Sequence, residues 1–185
     1  TPPRSYDYAH KLTMTRVNAV TTASFIKDIR CMALDSTRRL GYAGLNMNPG
    51  VVVIFNMDTL AYVDILQFTT ASVISMCIVD SGGVGGTGYF GALFHTRGMF
   101  VKVTNLESTG RVQHPVTFAE GNSGVLSGVF DDENKNIYLA TNQMPAKILK
   151  YDASGDGAPV FVSEASLHIP GTNTSISMGM FKAEE

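Results

Sequence analysis

Residues 125–152 read VLSGVFDDENKNIYLATNQMPAKILKYD. An apolar run closes on Asp131 and Asp132, the polar turn DENKN follows, IYLAT comes next, a loop with Pro145 intervenes, and AKILKYD ends the stretch. Short runs rich in β-branched and aromatic residues, punctuated by such turns, predict three strands joined by two tight connections. The pattern occurs twice earlier. Residues 29–56 give IRCMALD, RLGYAGL and PGVVVIFN; residues 74–104 give ISMCIVD, TGYFGAL and RGMFVKVT. A further copy opens at Ile176 with ISMGMFK.

Three columns fix the period. The first strand closes on Asp35, Asp80, Asp131 and then Lys182, giving spacings of 45, 51 and 51 residues. A tyrosine recurs in the second strand as Tyr42, Tyr89 and Tyr138, and a small residue opens the third as Gly50, Gly98 and Ala146. A fourth strand fits after each third one, in AYVDILQF, RVQHPVTF and APVFVSEASL. Four strands without a helix in a repeat of this length predict a β-propeller built from four-stranded antiparallel blades. The expected boundaries are 25–68, 69–118 and 119–167 for three blades. Residues 1–24 would end a preceding blade and 168–185 begin the next, so the chain reads as an incomplete segment of a six- or seven-bladed ring. TTAS at 21–24 and again at 69–72 leads into a first strand both times. First strands, nearly continuous apolar runs, are expected to be innermost and buried on both faces.

Composition narrows the function classes. Hydrophobic residues make up 44%, enough for a packed core. Charged residues are 16%, below the roughly 25% usual in soluble domains, which leans towards an extracellular or lumenal protein. A net charge of −2 gives no footprint for nucleic acid. No apolar stretch reaches the ~18 residues of a membrane span. Cys31 and Cys77 lie on opposite faces of equivalent first strands and read as free buried thiols. Consecutive blades could bring those faces together, but stacked sheets lie ~10 Å apart, whereas a disulfide needs Cα atoms within about 7 Å.

Several motifs carry a chemical and a plainer reading. GVGGTG at 83–88 follows a strand like a dinucleotide fingerprint, but that site needs a helix next; the repeat register predicts an expanded turn into YFGAL. GNSG at 121–124 is similar to the nucleophile loop of chymotrypsin-like serine proteases, with Ser123 as nucleophile. His10 and His95 stand too awkwardly in the order to complete a triad. Asp152, Ser154 and Asp156, with Gly157, match the first half of a calcium loop, though Ser163 stands where the closing carboxylate belongs; a plain turn is the alternative. His10, His95, His114 and His168 share no ligand spacing. Asn173 begins an N-glycosylation sequon. The anchor aspartates are expected to cap turns through their side chains.

The copies resemble the YVTN and NHL-like superfamily of propeller repeats. Gly50, Val52, Asp58, Thr59 and Leu60 match its PG-x-VVK-x-D type pattern in the first copy, Gly98, Val101 and Lys102 in the second, and Tyr138, Lys150 and Asp152 in the third. The likeness spans about residues 25–182. It implies adhesion, scaffold or ligand-binding roles, with lactonases and quinoprotein dehydrogenases among propeller enzymes; no catalytic set of theirs is reproduced. The expectation is a non-catalytic structural or protein-interaction module, without cofactor, whose partners are other chains or neighbouring blades. The contact loops would hold Asn46, Asn48, Gly83, Gly85, Asn142 and Gln143. An axial, metal-assisted hydrolase or lactonase-type site is the enzymatic alternative.

Overall fold

A computed structural model describes residues 28–68, 73–82, 85–92, 97–107, 110–143 and 145–167. The expected tail at 1–24, the copy opening at Ile176 with Lys182, and the loop glycine Gly83 lie outside these residues, as do His10, His95, His168 and Asn173. Twelve strands are described, and no helix. They form three four-stranded antiparallel sheets, each a simple meander. Sheet 1 holds β1 (Ile29–Asp35), β2 (Leu40–Leu45), β3 (Gly50–Asn56) and β4 (Tyr62–Phe68). Sheet 2 holds β5 (Ile74–Asp80), β6 (Thr87–Ala92), β7 (Met99–Thr104) and β8 (Val112–Thr117). Sheet 3 holds β9 (Val125–Asp131), β10 (Asn136–Thr141), β11 (Ala146–Asp152) and β12 (Val160–Leu167). The three sheets do not close on themselves.

Each strand predicted among the described residues falls in its place, and the register shows the columns to be equivalent. Tyr42 pairs with Ala33 and Ile54, Tyr89 with Ile78 and Lys102, and Tyr138 with Val129 and Lys150. The anchor aspartates close β1, β5 and β9 and cap the following turns. Asp35 accepts from the Arg38 N–H at 3.1 Å, Asp80 from Gly82 N–H at 2.8 Å and Asp131 from Asn134 N–H at 3.2 Å. Two of these turns end on a left-handed residue in the same column, Arg39 and Lys135, with φ of 57° and 53°. A turn followed by one αL residue hands the chain back into an antiparallel partner.

The sheets stack face to face in chain order, with β1 against β5 and β5 against β9. Between sheets 1 and 2 lie Tyr42, Ile54, Phe68, Ile74, Phe90 and Val103, all essentially inaccessible. Between sheets 2 and 3 lie Tyr89, Phe100, Val125, Ile137, Leu139 and Tyr151. Each large side chain so enclosed contributes about 1.5–3 kcal/mol by leaving water. The rings interlock, as with Tyr89 stacked on Phe130 at 5.3 Å between centroids.

The first strand of sheet 1 is not buried on both faces, as its apolar composition predicts, whereas β5 is covered by β1 on one side and β9 on the other. In β1, Cys31, Ala33 and Asp35 turn inward, while Met32 and Leu34 are 54% and 53% exposed. On the same face the register places Met32 and Ile65, both exposed, at the ends of a row whose middle members Ala43 and Val53 are buried, and Leu34 and Tyr62, also exposed, at the ends of the row through Gly41 and Phe55. The physical reason is simple: an apolar run shows that a strand can be covered twice, whereas cover requires a second sheet.

Candidate functional site

The antiparallel meander sends alternate turns to opposite ends of each sheet, which separates the loops singled out above. Asn46, Asn48, Asn142 and Gln143 lie on the turns β2–β3 and β10–β11, at one rim. Gly85 lies on β5–β6, at the other.

The first rim is locked by its own hydrogen bonds. Asn46 N–H donates to Asp28 O at 2.8 Å, whereas Asn48, which precedes a cis proline, is exposed. The Gln143 side-chain oxygen accepts from Ser123 N–H at 2.8 Å, and the Ser123 hydroxyl donates to the Asn142 carbonyl. The amide that an oxyanion would need is therefore taken by Gln143, and the hydroxyl faces a carbonyl rather than a base. Gly98 lies under this loop: a Cβ there would come 2.1 Å from Ser123 O. Buried Asn122 donates to Glu164 at 3.1 Å, and Glu164 pairs with Lys147 at 2.7 Å. These two contacts, Lys147 first, hold the Glu164 carboxyl below its ordinary range. The Asn122 side-chain oxygen has no partner, and it borders a cleft of about 210 Å³ walled by Val116, Ala119, Tyr151, Pro159 and Phe161. Thr117 also lines the cleft, so its polar groups come from Asn122, Thr117 and Tyr151 and the rest of the wall is apolar. Burial, and then the Glu164 charge, pushes the Tyr151 hydroxyl up to about 12, so it stays protonated near neutrality.

The second rim is a chain of charges between sheets. Asp35, fully buried, holds the Arg38 guanidinium at 3.0 Å. That guanidinium also donates to Ser81 O at 3.0 Å and pairs with Glu107 at 2.5 Å, both on sheet 2. Burial alone would raise the Asp35 carboxyl, but the Arg38 and Ser81 hydrogen bonds outweigh it and hold the group below its usual range. Tyr42 lies beside this pair with its hydroxyl buried and unpartnered, pushed up to about 12 by burial and then by the Asp35 charge. Arg111 joins sheet 2 to Asp64 of sheet 1 at 2.6 Å, and Lys135 of sheet 3 reaches Asp80 at 3.8 Å. Gly85 belongs to this rim; its carbonyl accepts from Glu107 N–H at 3.3 Å. The chain from Thr87 onward is strand β6, so the glycines are followed by no helix N-terminus to hold a pyrophosphate.

Asp152, Ser154 and Asp156 stand on the β11–β12 turn, all exposed. Asp152 accepts from Ser154 N–H at 2.9 Å, an Asx turn. The carbonyls of Ala153 and Gly155 accept from the ammonium of Lys102, a side chain 4% exposed that arrives from β7. Burial lowers the Lys102 pKa, and Asp156, Asp80 and Asp152 pull it partly back. The turn thus takes its positive charge from sheet 2. Calcium would need six to eight oxygens, and no group of three or more His, Cys, Asp or Glu is placed to hold a metal among the described residues. His114 is half-buried on β8, opposite Lys102 in the ladder.

The contact that spacing missed is between the cysteines. Cys31 and Cys77 are both free and half-buried, and their sulfurs lie 2.9 Å apart across the junction of sheets 1 and 2. Generic sheet spacing argues against this approach. Gly44 permits it, because a Cβ there would meet the Cys31 sulfur at 2.5 Å and the Cys77 sulfur at 3.1 Å.

No protein-family profile matches the chain, and no curated protein matches it either. No helix among the described residues is long and apolar enough to cross a membrane.

Proposed function

We propose that this chain is a non-catalytic β-propeller module of the YVTN and NHL-like kind, acting as a scaffold that binds a further β-sheet. The observation that carries this reading is the exposed apolar margin of the outer face of sheet 1, on its edge strands β1 and β4. Met32 and Leu34 on β1 and Tyr62 and Ile65 on β4 are 40–63% exposed there, flanking the buried Ala43 and Val53, and exposed apolar side chains grouped on one face mark an interaction site. Its repeating rows match the inner faces that sheets 1, 2 and 3 turn to each other, so the occupant is another apolar sheet face, a neighbouring blade. The rims support a scaffold rather than a reaction: Ser123, Lys102, Asp35 and Glu164 are all engaged in holding loops and sheets together.

The test is the double substitution Leu34→Lys and Ile65→Lys in the whole protein, followed by light scattering and thermal melting. If another chain supplies the occupant, the wild type assembles with concentration and the variant does not, at unchanged Tm. If the same chain supplies it, mass is unaltered and Tm falls by several degrees. A variant unaltered in both mass and Tm would show that the face binds nothing, and the proposal would fail.

A further inference from the structure

We infer that Cys31 and Cys77 form a thiol–disulfide site, and that a disulfide oxidant converts them into a covalent staple between sheets 1 and 2. The sulfurs already lie 2.9 Å apart, on strands that pack against each other and 46 residues apart in sequence. Gly44 makes room for both. Simple space-filling does not require this pair. In the next junction the equivalent columns hold Met76 over Gly128, where a Cβ on Gly128 would meet the Met76 sulfur at 2.5 Å. One long side chain over a glycine fills the gap in that junction; two short thiols facing each other fill it in this one.

The chemistry is an exchange with a small-molecule disulfide such as oxidised glutathione. Cys31 loses its proton to solvent and attacks one glutathione sulfur. A mixed disulfide forms and one glutathione thiolate leaves, to be reprotonated. Cys77 then loses its proton and attacks the Cys31 sulfur, expelling the second glutathione. Two thiols become one disulfide, and the two electrons reside in two molecules of reduced glutathione. Burial raises the Cys77 thiol well above its ordinary range, so Cys77 resolves the intermediate rather than starting the exchange.

The experiment equilibrates the whole protein in glutathione buffers from reducing to oxidising, then alkylates under denaturing conditions and maps the peptides. Oxidised wild type is expected to lose both alkylatable thiols, retain no glutathione and yield one peptide cross-linked between residues 31 and 77. Its Tm should rise by roughly 5–15 °C over the reduced form, as for closing a loop of this length. Cys77→Ser should stop at the mixed disulfide on Cys31, while Cys31→Ser should stay unmodified under the same conditions. Two alkylatable thiols after oxidation, retained glutathione in the wild type, or a cross-link between chains would each overturn the inference. A Tm unmoved by bond formation would overturn the claim that the bond ties the sheets together.

Discussion

Replacing Asp35 by alanine tests whether the charged rim holds sheets 1 and 2 in place. The carboxylate is fully buried and accepts from Arg38 twice, through the backbone N–H at 3.1 Å and the guanidinium at 3.0 Å. Taking one partner from a buried ion pair costs about 3–5 kcal/mol, because the other charge is left uncompensated. Arg38 keeps Ser81 O and Glu107, so the expected loss is about 2–4 kcal/mol. For a chain of this size that lowers Tm by roughly 5–15 °C. Thermal melting followed by circular dichroism reads the loss, and a cycle with Arg38→Met separates the pair from the other contacts of the arginine. A coupling of about 2 kcal/mol is expected. The pH dependence has a fixed sign: a carboxyl held low in the fold stabilises above its unfolded value, near 3.9, and that stability is lost as pH falls through the lower folded value. The gap between wild type and variant should therefore persist down to about pH 4 and close only below it. Single-variant losses that simply add, within about 0.5 kcal/mol, would refute the reasoning.

Three further substitutions probe other parts of the junctions. Gly98→Ala would drive its Cβ to within 2.1 Å of Ser123 O and 2.4 Å of Phe118; a loss above about 3 kcal/mol is expected. Gly155→Ala, with nothing within 4 Å of the added carbon, should cost under about 0.5 kcal/mol in the same denaturation assay. Lys102→Met removes a buried ammonium whose pKa is lowered. Between that lowered value and the ordinary lysine value near 10.4, the unfolded chain binds more protons than the fold. Wild type should therefore gain stability relative to the variant as pH rises through this window, and melts across the alkaline range would show the difference.

The twelve strands were legible because hydrophobic period, turn residues and three recurring columns agreed at every copy. The aspartate column was legible for its local chemistry, since an Asx cap needs only the two or three residues that follow. What the sequence could not carry depends on partners distant in the chain. The run IRCMALD is apolar whether its second face is covered or bare, so the exposure of Met32 and Leu34 has no local signature. Lys102, Lys150 and Ile54 share a column, yet Lys102 reaches the turn of the next sheet, the Lys150 ammonium lies 5.7 Å from the Tyr138 ring centroid and Ile54 is in the core. The cysteines were set apart by a spacing suited to the middle of stacked sheets. A glycine facing the pair brings the strands closer than that average, and Gly44 would have been the signal to weigh.

The charged contacts at the second rim converge on one corner. Arg38 reaches forward from sheet 1 to Ser81 O, and Lys135 reaches back from sheet 3 to Asp80. Both cations thus meet the end of β5, the strand sandwiched between the other two first strands. Gly86 lies against the Arg38 guanidinium, where a Cβ would be 3.1 Å from its nitrogen. Gly86 therefore has a packing reason independent of any ligand: it leaves room on the turn for an arginine from the neighbouring sheet. In a stack whose members touch only their neighbours, cooperativity resides in such junctions rather than within the sheets. Loosening this corner should uncouple sheet 2 from both sides at once, whereas loosening the β3–β4 turn should affect sheet 1 alone.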